Sequence, residues 1–285
     1  MKRWFFALLL VACTKAPPPL PDPPKPPGVP RKVIVLAVPK PVEDDFSVVL
    51  GEYDTRYVRD KRGQNVEHAA SFFKSARLGN GDVLSFNAQV GPRTRQNGFR
   101  KAPIIYEGAM VDGDGGDTCQ VSSTLHAAAV MAGLTVVERT SHSRPSKYIK
   151  LGLDATVVYS AVDLKIRDDL DEPVLVVMTA GPDKFPWVGK LHVEVRGSYP
   201  LPSLEYATKS QVTGAFERTM RTVPDKPEGY RAKAQEGSDG KWVTSILTRR
   251  YPDGGVQVAT YRSVYAPTKE IWDVGPNWTG PAPWE

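Results

Sequence analysis

A cysteine, a histidine and an aspartate occur in the middle of the chain in an order that suits nucleophilic catalysis. Cys119 lies in the predicted first turn of a helix, where exposed backbone amides and the helix dipole lower the pKa of a thiol. His142 follows a predicted strand, and Asp154 begins the next one. A thiol needs a base beside it, and an imidazole needs a third group to fix its tautomer. The pattern therefore predicts Cys119 as nucleophile, His142 as base and Asp154 as the group that orients the imidazole.

The segment around Cys119 is predicted to be a glycine-lined loop that runs into a helix. Asp117 or Thr118 can cap this helix, because a short oxygen side chain accepts from the free amides of a first turn. The apolar residues that follow share one helical face: Val121, Leu125, Ala128, Ala129 and Ala132. Gly133 then provides a left-handed helix end. Glycines let a ligand approach the backbone closely. The expected substrate contacts are Gly115, Gly116, Gln120 and Ser122.

Other interpretations of these residues stay open at the level of sequence. A free cysteine is often simply buried, so Cys119 could be structural. His126 follows Cys119 on the same helix at a distance of about 10 Å along the axis, which is too far for a hydrogen bond to the thiol. His68 and His192 are expected to be surface or internally bonded histidines. Closely spaced Cys and His ligands for zinc are absent from the sequence, and we expect neither a metal nor another cofactor.

Composition places the chain among ordinary globular proteins. It has 285 residues, 41% of them hydrophobic, and a formal net charge of +5. This length allows one large or two modest domains with a real core. A mild basic excess fits anionic surroundings such as a cell envelope. No basic-aromatic module occurs, so nucleic acid is not an expected partner.

The first forty residues read as an export signal and a tether. Residues 1–12 combine a charged start with an apolar run too short to span a bilayer permanently. The run ends in Leu-Val-Ala before Cys13 and resembles the lipobox of bacterial lipoproteins, which implies acylation of Cys13; an ordinary signal peptide is the alternative. Residues 13–41 are rich in proline and favour an extended tether. A lipid on Cys13 would leave Cys119 as the lone thiol of an exported protein, since the chain has two cysteines.

Helical and strand-like patterns alternate through residues 42–200 and predict an α+β domain. Residues 65–78 carry an apolar face and are predicted to be a helix, and residues 154–159 are predicted to be a strand. In residues 191–196 the apolar side chains alternate with His192, Glu194 and Arg196, as in a half-buried strand. The cysteine helix followed by strands that carry the histidine and aspartate is similar in layout to papain-like and transglutaminase-like enzymes, with a central helix against an antiparallel sheet.

Many spaced motifs between about residues 60 and 200 resemble the VanW family. They include residues 82–87, 90–94, 98–99 and 102–103, the run 115–122 around Cys119, Glu138-Arg139, His142-Ser143 and residues 154–157. Members of this family are typically exported or membrane-tethered envelope proteins, and the resemblance implies no settled reaction. This sequence departs from the family in having Asp117 close before the cysteine, where the family more often has glycine and an aliphatic residue. A nearby acid is expected to oppose the helix-start effect by raising the pKa of the thiol.

Residues 203–285 are predicted to form a separate β-rich module. Strand-like runs at 231–235, 241–248 and 256–261 are divided by turns at residues 237–240 and 253–255. The pattern looks like the G5-type all-β module that often accompanies VanW domains and is proposed to bind envelope sugars. A plain β-extension of the preceding domain is the alternative.

The sequence therefore predicts a lipid-anchored envelope protein of the VanW type, located at the outer membrane if the cell has two membranes. Its predicted activity is that of a cysteine-dependent hydrolase or acyltransferase acting on an amide or peptide bond of peptidoglycan. The alternative is a non-catalytic module that binds peptidoglycan or another envelope glycan, or serves as a scaffold, through the same glycine-lined cleft. In both cases the expected partners are an envelope glycan or peptide and the membrane reached through the anchor.

Overall fold

The computed structural model describes residues 33–34, 45–106, 109–202 and 204–285. The predicted signal peptide, Cys13 and most of the predicted tether lie outside the described residues. Within the tether, Val33 and Ile34 pair in parallel with Val83 and Leu84. No helix in the described ranges has the length and apolar character needed to cross a lipid bilayer.

The described residues form a β-rich α+β structure, so the predicted fold class is confirmed at this level. The helices are α1 (Lys61–Ala70), α2 (Phe86–Val90) and α3 (Thr118–Met131), with short 3-10 turns at Ser71–Phe73 and Arg95–Asn97. The strands are β1 (Val33–Ile34), β2 (Val48–Val58), β3 (Ala76–Leu78), β4 (Val83–Ser85), β5 (Lys101–Tyr106), β6 (Ala109–Asp114), β7 (Thr135–Glu138), β8 (Lys165–Arg167), β9 (Val174–Pro182), β10 (Val188–Gly197), β11 (Leu204–Gly214), β12 (Arg218–Thr222), β13 (Arg231–Gln235), β14 (Gly240–Arg250), β15 (Val256–Tyr265) and β16 (Glu270–Val274).

Two sheets of the first region surround the cysteine helix. One has the strand order β2-β10-β9-β3, with antiparallel neighbours, and α3 packs on its β2 and β10 strands. The other has the order β1-β4-β8-β7 and also contacts α3 through β7. Along β10, Leu191, Val193 and Val195 are fully buried while His192 and Glu194 lie on the opposite face. This alternation was predicted from the sequence.

The region after residue 203 forms two further sheets, in the orders β11-β14-β15 and β12-β16-β13. The first of these covers the side of α3 that faces away from the β2-β10 sheet. Ala127 and Val130 of α3 pack there with Leu247 of β14, in a cluster that also includes Leu153. Arg249 extends this contact, because its Nη2 donates to the carbonyl of Met131 at the end of α3 at 2.7 Å.

Enclosure from both sides explains why α3 is buried around nearly its whole circumference and not on one face alone. The helix ends at Met131, and Gly133 just beyond it has the predicted left-handed backbone, with φ of +82°. The N–H of Leu134 closes this end on the carbonyl of Ala129 at 3.0 Å. Cys119, the second residue of α3, is thus placed on a rigid element that both halves of the chain hold.

Two predicted elements differ in the structure. The helix predicted at residues 65–78 starts at Lys61, where the side chain of Asp60 caps it, and ends at Ala70. Residues 76–78 instead form β3, because a partner strand, β9, is available for them. Residues 154–159 do not form a continuous strand: the isolated bridges Thr140↔Thr156 and Val158↔Val162 hold this segment as a loop. That loop passes directly beside the start of α3.

Candidate active site

The thiol of Cys119 lies at the start of α3, partly exposed and in contact with the loop that follows Asp154. Its Sγ lies 3.5 Å from the backbone N of Val157 and 3.6 Å from the carbonyl oxygen of the same residue. Burial alone would raise the pKa of this thiol. A side-chain hydrogen bond and the charge of His142, the N–H of Val157 and the guanidinium of Arg93 outweigh burial and lower that pKa. The thiolate form is therefore favoured beside a positively charged imidazole.

His142 is held between the thiol and a carboxylate. Its Nδ1 lies 2.9 Å from Oδ2 of Asp154, and its backbone N–H donates to the same oxygen at 2.6 Å. Because an ionised carboxylate can only accept, Nδ1 must carry a proton, which leaves Nε2 for the hydrogen bond with Cys119. Burial alone would lower the pKa of His142, but its bonds to Asp154 and Cys119 and their charges raise it to about 9. An imidazolium paired with a thiolate follows from this arrangement.

Asp154 is almost fully buried and accepts hydrogen bonds from two further side chains. Its Oδ1 receives the hydroxyl of Tyr265 at 2.5 Å and Nη2 of Arg139 at 3.0 Å. Burial alone would raise the pKa of Asp154, but its bond to His142 and the charges of Arg139 and His142 lower it. The carboxylate is therefore ionised over the whole neutral range. The structure thus brings Cys119, His142 and Asp154 into one hydrogen-bonded chain.

Two adjacent serines of α3 hold the loop that carries Asp154. Ser122 Oγ donates to the carbonyl of Ala155 at 2.7 Å, and Ser123 Oγ accepts the backbone N–H of Ala155 at 2.9 Å. Ser123 also donates to the carbonyl of Cys119 at 2.6 Å. These bonds fix the distance between the helix that carries the thiol and the carboxylate that orients the imidazole.

The four residues predicted to contact substrate are buried in the structure: Gly115, Gly116, Gln120 and Ser122. Gln120 Nε2 donates inward to Thr55 Oγ1 and to the carbonyl of Arg56, each at 2.9 Å, and the carbonyl of Gly116 accepts from Asn65 at 2.9 Å. Ser122 is fully buried and uses its hydroxyl on Ala155, as described above. In this structure these residues build the loop and the helix start, and they do not line an open cleft.

Asp117 does not act on the thiol as expected from its position. It has a left-handed backbone with φ of +70°, makes no capping bond to α3, and its carboxylate lies 3.8 Å from Arg62. The pKa of Cys119 is lowered despite this nearby acid. Thr118 does not cap the helix either, since its hydroxyl donates backward to the carbonyl of Gly115 at 2.9 Å.

The other histidines lie away from the thiol. His126 is fully buried, with Nδ1 at 2.8 Å from the carbonyl of Leu153, and burial lowers its pKa to about 4, so it is neutral. His68 bonds to the carbonyl of Asn97 at 2.6 Å. Among the described residues, one set of side chains could hold a metal ion: Glu52, His192 and Glu194, whose ligand atoms lie within 4.8 Å of one another. This set is on the outer face of the β2-β10 pair, opposite to α3, so it contributes nothing to the thiol site.

Sequence reasoning missed Arg139, Tyr148 and Tyr265 around the site. Arg139 Nη1 also donates to Ser263 Oγ at 2.8 Å, so β15 is tied to the carboxylate by this arginine as well as by Tyr265. The ring of Tyr148 meets that of His142 edge-on at 6.5 Å. The Glu138-Arg139 motif was the available signal for the arginine, but it did not indicate that Arg139 bonds to Asp154.

Residues 61–187 match the family model described as "VanW like protein". A curated relative, "Uncharacterized protein YoaR" of Bacillus subtilis (strain 168), is 38% identical over 129 residues, which are 45% of this chain and 43% of the relative. "Vancomycin B-type resistance protein VanW" of Enterococcus faecalis (strain ATCC 700802 / V583) is 25% identical over 126 residues, 42% of this chain and 46% of the relative. Residues 61–187 are therefore a VanW-like domain, as the resemblance in the sequence indicated. The chain spans less than half the length of these curated relatives.

Two solved G5 structures are similar to part of the chain. "Crystal structure of HP0197-G5" matches at 20% identity and a TM-score of 0.15, covering 26% of this chain and 96% of that one. "IgA1 Protease G5 domain structure" matches at 26% identity and a TM-score of 0.18, covering 29% of this chain and 100% of that one. TM-scores of this size do not establish a shared fold. The G5-like assignment of residues 203–285 stays a prediction, as do the predicted domain boundaries.

Proposed function

We propose that this protein is an envelope-associated thiol enzyme that cleaves or transfers an amide bond of a peptide, with peptidoglycan as its substrate. The observation that carries the proposal is the hydrogen-bonded chain from Cys119 through His142 to Asp154, in which Nδ1 of the imidazole lies 2.9 Å from the carboxylate. A structural thiol has no need of an imidazole whose pKa is raised to about 9. A nucleophile does, because the imidazolium keeps the thiol ionised at neutral pH.

The proposed reaction begins with attack by the thiolate of Cys119 on the carbonyl carbon of the amide. The C–S bond forms, and the carbonyl electron pair moves to oxygen. When the C–N bond breaks, the imidazolium of His142 gives its Nε2 proton to the departing amine, and a thioester remains. Neutral His142 then takes a proton from water or from an acceptor amine, which attacks the thioester and releases the thiolate. Water gives hydrolysis, and an amine gives acyl transfer.

The oxygen that becomes negative in this reaction needs a hydrogen-bond donor already in place. The backbone N–H of Cys119 supports this role, because it lies in the free first turn of α3 and makes no hydrogen bond to another described residue. Asp154 stays ionised throughout and holds the imidazole, as an orienting acid does in catalytic triads. The order of the three residues and the helix-against-sheet setting support the papain-like layout, which is part of this proposal.

Location in the cell envelope is supported by the VanW-like domain and by the sequence of the first residues. One relative is named as a vancomycin resistance protein, and that name describes the relative and not this chain. Acylation of Cys13 and a proline-rich tether would place the thiol site at a distance from the membrane, where cross-linked peptides of the wall can reach it. The lipid anchor and the outer-membrane location are parts of the same proposal.

Mass spectrometry of purified peptidoglycan fragments after incubation with the protein tests the proposal. The wild type should produce new peptide termini or new cross-links, and Cys119→Ala should produce none while keeping the wild-type circular dichroism spectrum. His192→Ala is the matched control, because this histidine lies on the far face of the sheet, and its products should equal those of the wild type. Products from Cys119→Ala at the wild-type rate would contradict a thiol mechanism.

A binding module is the second candidate function, and one surface feature favours it. Phe185 and Trp187 stack at 5.2 Å between ring centroids and are both more than half exposed. Exposed aromatic faces are suited to contact with sugar rings. If this surface binds glycan, sedimentation with insoluble peptidoglycan should persist in Cys119→Ala and fall in Trp187→Ala. Equal sedimentation of the Trp187→Ala variant and the wild type would contradict it.

A further inference from the structure

Arg93 lies directly against the loop that leads into Cys119. It follows α2 in the turn after Gly91, and its backbone and Cβ pack on Gly115 so closely that a Cβ on that glycine would lie 2.4 Å from the Cβ of Arg93. The close approach of the two segments fixes where the guanidinium can reach. It extends over the ring of Phe86, with its carbon 5.2 Å from the ring centroid.

Two hydrogen bonds hold the guanidinium in place, and the charge of Asp163 acts on it without a direct ion pair. Nη2 donates to Oδ1 of Asn87 at 2.6 Å and Nη1 to the carbonyl of Gly91 at 3.1 Å. Among the described residues, no Asp or Glu forms an ion pair with it. A guanidinium has five N–H donors, so these two bonds leave others free. The result is a half-buried cation with fixed orientation and unused donors.

The same loop borders both this cation and the thiol. Val157 contacts Sγ of Cys119 through its backbone, and Tyr159 has its ring centroid 5.9 Å from the guanidinium carbon of Arg93. The charges of Arg93 and the Cys119 thiolate interact across this short span. Tyr159 also lines a cavity of about 460 Å³, whose other lining residues include Asn87, Gly91 and the charged Glu138, Asp163 and Lys165. Asn87 and Tyr159 line this cavity and also contact the guanidinium, which therefore lies beside the cavity.

We propose that Arg93 binds a carboxylate of the substrate close to the carbonyl that Cys119 attacks. The substrate class is then a peptide with a free carboxylate next to the amide bond that is cleaved or transferred. A planar guanidinium suits this task, because it can donate two parallel hydrogen bonds to a carboxylate. This inference rests on the proposed thiol mechanism and adds the charge that the substrate must carry.

Alkylation with two small reagents tests this inference on the folded full chain. Iodoacetate and iodoacetamide attack the same thiolate and differ in that iodoacetate carries a carboxylate next to the reacting carbon. The ratio of their second-order rates cancels any change in the thiolate fraction of Cys119. We expect the wild type to favour iodoacetate and Arg93→Gln to lower the ratio about tenfold, the change that corresponds to one charge-assisted contact of about 1.4 kcal/mol.

Arg95→Gln is the matched control, because Arg95 is an exposed arginine two positions away that pairs with Asp114, and its ratio should stay at the wild-type value. Arg93→Lys keeps the positive charge but loses the planar pair of N–H donors, so its ratio of iodoacetate to iodoacetamide rates should be intermediate. This variant serves as the test if Arg93→Gln does not fold. Equal ratios in the wild type and these Arg93 variants would overturn the inference. A thiol that reacts no faster than that of the unfolded chain with either reagent would overturn the proposed function itself, and the inference with it.

Discussion

Replacement of Tyr265 by phenylalanine removes one oxygen atom that joins β15 to the candidate active site. The hydroxyl donates to Oδ1 of Asp154 at 2.5 Å and accepts the backbone N–H of Gly152 at 2.8 Å. Loss of a hydrogen bond to a charged group costs about 1.5–3 kcal/mol, and a buried N–H left without an acceptor costs about 1–3 kcal/mol. We therefore expect Tyr265→Phe to lower the free energy of unfolding by about 3 kcal/mol or more, since both groups are buried.

Tyr265→Phe should affect the reactivity of the Cys119 thiol far less than it affects the free energy of unfolding. Asp154 keeps the bonds from the backbone and Nδ1 of His142 and from Arg139, at 2.6, 2.9 and 3.0 Å. We expect the alkylation rate of Cys119 at pH 7 to change by less than about tenfold, or about 1.4 kcal/mol.

Urea denaturation at pH 7 measures the stability of this variant, with an unchanged m-value as the sign that the unfolding transition is comparable. Tyr261→Phe is the matched control, because Tyr261 lies on the same strand and its hydroxyl makes no hydrogen bond within the described part of the chain. This control should change the free energy of unfolding by no more than about 0.5 kcal/mol. Equal effects of the two substitutions would refute the role assigned to the Tyr265 hydroxyl.

Two further predictions concern packing and protonation. Gly152→Ala should destabilise the protein by at least about 2 kcal/mol more than Gly254→Ala. Both glycines have a positive φ, but a Cβ at Gly152 would lie 1.9 Å from a serine hydroxyl of β14, whereas a Cβ at Gly254 would meet open space. Equal urea midpoints of the two variants would contradict this packing. In an NMR titration His142 should have a pKa of about 9 and His126 one of about 4. Cys119→Ala should lower the pKa of His142, because the thiolate and its hydrogen bond are gone. If the pKa of His142 in that variant stays above the unfolded value of about 6.5, protonated His142 still stabilises the fold. That stabilisation is complete below pH 6.5 and is lost as the pH rises through the pKa of His142 in the folded protein. A pKa of His142 unchanged by Cys119→Ala would contradict the ion pair.

The place of Cys119 at the start of a helix could be anticipated, because local sequence sets it. A glycine loop before an apolar helical pattern places a residue in the first turn. The order of His142 and Asp154 after it suggested their roles, whereas bonds from α3 to Ala155 set where the Asp154 loop lies. The positions of Arg93 and Tyr265 could not be anticipated in the same way. Tyr265 reaches the site from β15, far away in sequence. Arg93 lies in the turn after α2, and no local periodicity shows that this turn packs against the loop before Cys119.

Two of the differences have the same physical origin. Residues 76–78 have a pattern compatible with a helix, and they form a strand because β9 offers hydrogen-bond partners. Gln120 and Ser122 are polar residues near the thiol and were expected to face substrate, but α3 is enclosed on both sides, so their side chains bond inward. Burial by a strand and a loop that are distant in sequence overrides the polarity of these residues as a guide to what they contact.

The ionised pair of Cys119 and His142 is the central claim, and the pH dependence of Cys119 alkylation tests it most directly. The measurement is the second-order rate with iodoacetamide between pH 6 and pH 8.5 for the wild type and His142→Ala, with Cys119→Ala as the blank for other sites. The wild-type rate should rise much less steeply with pH than the His142→Ala rate, because the imidazolium of His142 lowers the pKa of the Cys119 thiol. The His142→Ala rate should rise about tenfold per pH unit below an ordinary thiol pKa of about 8.5. A wild-type rate that rises with the same slope as that of His142→Ala would contradict the ion pair.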